Sequence, residues 1–362
     1  VLDRVSGPEL GLQCAVRVGE WLTQTDPGDI AVLCRVNSAL LPVHVAFAEA
    51  GIPFRSPLGP EVLERTVTAA ALAWVRIGLN PDEISTSDLM KVVRRPSRGL
   101  TRLTGQLVGR RRKVSLDDLI GLGSRLDNRQ AAKWDGFCAD LERVVAVAAG
   151  DDSITILDVI NNEIGLRGAA QALDAGRRRA DRSAQSDDLV ALRRAAVLHR
   201  QLADFESWLR TLLGHSDDGH GVELSTVHRV KGMEWDRVVV FAADEGLFPH
   251  DLAEDPEEER RVFHVAITRG RQQVVVLADA ARPSTFLKEM TGEAVPTEPK
   301  LPLPTTVAQG GISVEVGDRV RIGGGYSGVV EEFEDAGMVL TLDSGTSTML
   351  VEWGEAVTTS GG

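Results

Sequence analysis

Three short, nearly continuous apolar runs constrain this chain more than any other feature. They are Val222–Val227, Arg237–Ala242 and Gln273–Ala278, each rich in β-branched residues. Strict alternation would mark a strand with one wet face, whereas an almost unbroken apolar run of this length marks a strand covered on both. Between the second and third runs, Glu257 to Thr268 has a helical pattern. It opens on Pro256-Glu257-Glu258-Glu259 and closes towards Arg269 and Arg271. Proline and carboxylates suit a first helical turn and arginines a last one. Strands alternating with helices predict a parallel sheet with helices on both faces. Ligands of such sheets sit beyond the carboxyl ends of the strands, where His228, Lys231 and Glu234 are expected.

Composition limits what surrounds this unit. With 362 residues and 43% hydrophobic content, the chain is large enough for more than one cored domain. A net charge of −13 excludes a protein coated in basic surface, so nucleic-acid contacts must come from local patches. Cys14, Cys34 and Cys138 form no CxxC pair and no even framework, which suits a reducing, cytoplasmic setting. No apolar run reaches membrane-spanning length, and the opening VLDRVSGPE reads as the interior of a longer protein.

Upstream, the pattern predicts a helix over Gly11–Leu22, a strand over Ile30–Cys34 and an Ala-rich helix over Leu63–Ile77. Helical spacing then dominates: Ser87–Val93, Leu116–Leu122, Lys133–Ala149, Ile154–Ile164 and Asp188–Leu213. Trp134, Phe137, Leu141 and Val145 share one face and read as core. Two arginine groups, Arg94, Arg95, Arg98 and Arg102, then Arg110 to Lys113, read either as a solvated face or as a nucleic-acid contact. Arg177–Arg179 and Arg182 fall in a polar stretch that reads as a linker. His215 and His220 lie in an Asp/Gly loop without further ligands, so no metal site is expected. His264 reads as packed within its helix. Residues 291–311 have a Pro/Thr/Gly linker composition. Beyond them, short alternating strands with glycine turns predict a small bent barrel, in which Tyr326, Phe333 and Trp353 line a groove or fill the core.

STVHRVKGMEWDRVVV, DEGLFPH and EEERRVFHVAITRGR, in that order, resemble the late motifs of UvrD/PcrA/Rep-like superfamily 1 DNA helicases. The resemblance extends upstream. CRVNSALLPVHVAFAEAGIPFR is similar to the family's unit of strand, Arg-x-Asn and helix, and RRPSRGLTRLTG to its P-x-RG-I-G turn. Arg229, Val230, Gly270 and Thr101 depart from the common pattern, the last putting the duplex contact in doubt. The implied fold is α/β: a RecA-like second motor domain (residues 1–78 and 220–290) interrupted by a mostly helical insertion (79–219), then a linker (291–311) and an SH3/Tudor-like barrel (312–362). By the same resemblance Arg269 is the catalytic arginine that reaches the γ-phosphate, and Gly232 and Glu234 face the nucleotide. Arg35, Asn37, Thr226, His228, Arg98 and Gly99 face DNA. For Asn37 a helix cap is an equally available reading.

The resemblance further implies an ATP-dependent helicase that translocates 3′ to 5′ on single-stranded DNA and unwinds duplex in repair or replication. ATP and Mg2+ would be held mainly by a first motor half, because this sequence contains no GxxxxGK[ST] loop, no DExx strand end and no NYRS-type segment. Alone, the chain is expected to lack ATPase activity. The terminal barrel implies a protein partner, such as RNA polymerase or a repair protein. The alternative is a stand-alone, non-enzymatic DNA-binding or protein-interaction module derived from a helicase.

Overall fold

In the computed structural model, residues 2–5, 7–175, 184–215, 219–253 and 255–293 are described, together with seven strands between 306 and 359. The chain divides into two units, Val1–Thr291 and Gly292–Gly362.

Unit one contains strands β1 (Leu2–Val5), β2 (Ile30–Cys34), β3 (Phe54–Arg55), β4 (Ile84–Ser85), β5 (Lys113–Val114), β6 (Val222–Thr226), β7 (Trp235–Phe241) and β8 (Gly270–Asp279). Six of these form one sheet in the order β1-β8-β7-β2-β6-β3, and every pairing in it is parallel. The apolar runs are unbroken because neighbouring residues supply opposite cores. Val32, Val239, Val275 and Leu277 enter the larger hydrophobic cluster; Ala31, Leu33, Val238, Val240, Val276 and Ala278 enter the smaller one. Helices α1 (Leu10–Trp21), α2 (Leu41–Ala50) and α3 (Thr66–Leu79) contribute to the larger cluster. The other face is covered through Phe263 and Ala266 of the helix Pro256–Ile267 and Phe286 and Leu287 of Thr285–Thr291. The edge strand β1 was not anticipated: it is four residues long and its partner β8 lies far along the chain.

Between β3 and β6 the fold is helical: α4 (Thr86–Arg94), α5 (Thr101–Val108), α6 (Leu116–Leu122), α7 (Asn128–Ala148), α8 (Ser153–Asp158), α9 (Leu166–Asp174), α10 (Gln185–Ala196) and α11 (Phe205–Leu213). The expected helix Asp188–Leu213 is two helices separated by residues 197–204, where Asp151 Oδ1 accepts from the Leu202 and Ala203 amides. A π-helical turn, Val159–Glu163, continues α8. Trp134 lies against Phe137 edge to face at 5.9 Å and donates its Nε1–H to the Leu119 carbonyl at 2.8 Å. These side chains join the same cluster as the sheet face, so insertion and sheet share one core. The last two helices of the unit are α12 (Pro256–Ile267) and α13 (Thr285–Thr291).

In unit two, a strand Thr306–Gln309 falls inside the stretch read as linker and pairs antiparallel with Ile312–Glu315. A five-stranded antiparallel sheet follows, containing Arg319–Ile322, Ser327–Glu334, Gly337–Leu342, Thr348–Glu352 and Val357–Thr359. Tyr326 and Trp353 lie outside the described residues, as does the side chain of Phe333; Arg177–Arg179 and Arg182 also lie outside them.

Candidate functional site

Parallel strands force the chain to cross the sheet between them. Since β2 lies between β6 and β7, the segment 227–234 returns from the carboxyl edge to the amino edge, burying Val227 and Val230 in the smaller core on the way. His228, in a 3-10 turn directly after β6, is therefore at the carboxyl edge and exposed. Glu234 immediately precedes β7 and is at the amino edge. The expectation that both lie beyond the carboxyl ends is corrected: they sit at opposite edges of one sheet.

At the amino edge Glu234 directly precedes β7 and Arg269 directly precedes its neighbour β8. Trp235 is paired with Gly270, and its amide donates to the Arg269 carbonyl at 3.0 Å. The Arg269 guanidinium is half-buried and donates to the Val265 carbonyl (3.1 Å), the Met233 carbonyl (3.3 Å) and the Thr268 hydroxyl (3.4 Å). These neutral acceptors fix its direction without cancelling its charge. By contrast, Arg271 faces Asp236 at 3.4 Å, and Arg260 is engaged by both Glu257 and Glu289. Gly232 is exposed with φ +83°, the left-handed region that glycine tolerates best. Met233 and the Glu234 side chain are exposed beside it. The arrangement presents a guanidinium and a carboxylate on one accessible rim. That fits the charge pattern of a nucleotide, with phosphates at one end and ribose hydroxyls at the other.

The carboxyl edge differs from expectation. Arg35, directly after β2, is 5% exposed, and its Nε lies 2.9 Å from both carboxylate oxygens of Glu259, itself 2% exposed. Its guanidinium is thus held inside the fold rather than offered to a strand of DNA, because a buried cation requires a buried counter-charge. Asn37 opens the 3-10 turn Asn37–Leu40, but the residue in the capping position is Val36, and the Asn37 Oδ1 is buried without a hydrogen-bond partner. Thr226, the last residue of β6, is buried. Arg98 is likewise committed: it pairs with Asp140, donates to the Pro96 carbonyl and lies 5.6 Å over the Trp74 ring and 5.4 Å over that of Phe137. Gly99 is exposed at φ +70° with open space around it. Arg94, Arg102 and Arg110–Lys113 are exposed. His264, expected to be packed, is exposed, because the inward stripe of α12 is Glu259, Phe263 and Ala266.

Glu259 belongs to a buried polar chain that the linear pattern did not reveal. The backbone amide of His250 donates to Glu259 Oε2 at 3.1 Å. The His250 ring accepts the Leu252 amide at Nδ1 (3.1 Å), which places its proton on Nε2, 3.0 Å from Asp187 Oδ2. Nearby, Arg194 of α10 pairs with Asp244 at 2.6 Å, and Asp244 accepts the Asp279 amide. A usable signal was present: Glu259 is spaced with Phe263 and Ala266 on one helical face, so a carboxylate sat on an apolar stripe. A cleft of about 630 Å³ lies beyond β7 and β8, lined by Asn161, Arg193, Arg194, Asp244, Asp279 and Arg282 among others. Its charges are largely matched internally, Arg193 with Asp158 and Arg194 with Asp244, and it contains neither Glu234 nor Arg269. Among the described residues, no cluster of three or more His, Cys, Asp or Glu is placed to hold a metal, and no helix is long and apolar enough to cross a membrane. The three cysteines are buried and unpaired with one another.

The parallel sheet with its many helices is consistent with a helicase C-terminal domain, and residues 194–279 match the UvrD-like helicase C-terminal domain. The chain is homologous, at low identity, to the UvrD and PcrA DNA helicases. It is 25% identical to DNA helicase II of Escherichia coli over 338 residues, covering 81% of this chain and 46% of that protein. Identity to the ATP-dependent DNA helicase PcrA of Staphylococcus aureus is 23% over 292 residues, covering 72% of this chain and 39% of that protein. The putative ATP-dependent DNA helicase YjcD of Bacillus subtilis is 24% identical over 274 residues, covering 71% and 34%. The chain thus spans less than half the length of these relatives.

Proposed function

We propose that this chain is the C-terminal motor half of a cytoplasmic ATP-dependent DNA helicase that moves 3′ to 5′ along single-stranded DNA and opens duplex in repair or replication. The observation that carries the reading is the shared rim of Glu234 and Arg269, where a guanidinium directed by neutral acceptors keeps its full charge. In this reading ATP and Mg2+ lie mainly on a first motor half. Arg269 supplies positive charge to the transferring phosphoryl group, Glu234 accepts from the ribose, and Gly232 lets the backbone turn between them. His228 and Asn37 meet single-stranded DNA at the opposite edge, and Thr226 supports them from beneath. Gly99 and the exposed arginines of the insertion approach duplex. The antiparallel sheet of unit two closes as an SH3/Tudor-like barrel that docks a protein partner.

Two motor halves are needed for turnover, so this chain alone is inactive as an ATPase. In the full-length protein, Arg269→Ala should lower DNA-stimulated turnover by about a thousandfold or more while leaving single-stranded DNA affinity near that of the wild type. Loss of DNA binding with turnover retained would overturn the assignment.

A further inference from the structure

The two edges of the sheet are joined by one rigid element. Helix α12 leaves the carboxyl edge after β7 and reaches the amino edge before β8, with Glu259 in its first turns and Arg269 just past its last. At a rise of about 1.5 Å per residue these residues are roughly 15 Å apart along the helix. On Glu259 three parts of the fold converge. Arg35 brings the end of β2, two residues from Asn37; the His250 amide brings the loop after β7; and Asp187, through the His250 ring, brings α10 of the helical insertion. All four side chains are buried, with exposures of 5% for Arg35, 2% for Glu259, 3% for His250 and 9% for Asp187.

We propose that Glu259 is a positioning residue: the Asp187–His250–Glu259–Arg35 chain sets the placement of α12, and thereby of Arg269, from the DNA edge and from the insertion together. The inference rests on the functional reading above. Its physical basis is geometric. A buried carboxylate satisfied by a bidentate guanidinium and an amide has little freedom, and a helix carries that constraint along its length. Displacing a catalytic group by about 1 Å from a distance can cost on the order of a hundredfold in rate.

The test uses the full-length protein with two variants. Glu259→Gln keeps the shape and removes the charge; Asp187→Asn weakens the insertion's link, together with the bond from the Ala184 amide at the start of α10, and leaves Arg35 paired. Glu259→Gln should lower kcat for DNA-stimulated ATP hydrolysis by about tenfold to a hundredfold with KM for ATP changed by less than about twofold, and Asp187→Asn should do the same to a smaller extent. Amide exchange across residues 256–267, measured without DNA or nucleotide, should quicken in both. Should Glu259→Gln fail to fold, Asp187→Asn decides. Unchanged exchange in folded variants overturns the proposal, and so does faster exchange with kcat and KM both as in the wild type. Absence of DNA-stimulated ATPase from the wild-type protein would defeat the helicase reading instead, with the exchange result still judging the chain of contacts.

Discussion

The guanidinium of Arg35 and the carboxylate of Glu259, 224 positions apart in the chain, form a pair inside the fold at 2.6 to 2.9 Å. Removing one member of a buried pair leaves the other without compensation, at a cost of about 3–5 kcal/mol, whereas replacing both by apolar groups of similar size is close to neutral. Arg35→Met should therefore destabilise unit one strongly in urea denaturation, and Arg35→Met combined with Glu259→Leu should recover part of the loss, the remainder reflecting the buried His250 amide left without its acceptor. A single variant within about 1 kcal/mol of the wild type would mean that the pair is not buried in solution.

Arg98 is held by Asp140 and by two aromatic rings, so its substitution should be felt first as stability. Arg98→Ala should lower stability by about 1–2 kcal/mol from the desolvated cation–π contacts and the ion pair. Arg94→Ala, at an exposed position, should leave stability within about 0.5 kcal/mol and act on duplex affinity instead. Thermal melting alongside duplex binding separates the two effects.

His44 makes stability depend on pH. It is fully buried on α2, accepting from the Ser56 hydroxyl at Nδ1 (2.9 Å) and donating to the Leu212 carbonyl from Nε2 (3.1 Å). Burial pushes its pKa down from 6.5 to about 4. The unfolded chain then binds a proton that the folded chain refuses, so stability is intact above pH 6.5 and falls as the pH drops from 6.5 towards 4, by up to about 3 kcal/mol. The ring resonances of His44 should show no titration around pH 6.5, and His44→Gln should flatten the fall in melting temperature over that window.

His228 stands exposed at the end of β6 and should act through a base or a phosphate. His228→Ala should weaken single-stranded DNA binding by about 1–3 kcal/mol, as loss of a stacking ring does, without altering KM for ATP. Fluorescence anisotropy at fixed salt measures the first and steady-state kinetics the second; unchanged DNA affinity would remove His228 from the interface.

Much of the architecture was legible because hydrophobic pattern is local. Ile30–Cys34 was read to the residue, β6, β7 and β8 were each located, and Leu116–Leu122 matched throughout, since unbroken β-branched runs and helical stripes record burial directly. That Glu234 and Arg269 both precede neighbouring strands, β7 and β8, became visible only with the strand order, since the pattern alone had put Glu234 at the opposite edge. What escaped the pattern came from contacts far along the chain. Asp188–Leu213 kept helical spacing across a break held by Asp151, a contact from outside the segment. The carboxylates that Arg35 and Arg98 face, Glu259 and Asp140, come from elsewhere in the fold and left no trace in the local pattern around either arginine.

By itself, then, the order of residues determined where strands and helices form, which of them are covered on both faces, and which groups stand at strand ends. Only the folded molecule decided which charges are spent internally and which remain for a ligand, and on which edge of the sheet His228 and Glu234 fall. The reason is range: apolar periodicity is set by a residue's near neighbours, whereas the partner of a buried charge is whatever the completed fold brings within about 3 Å of it.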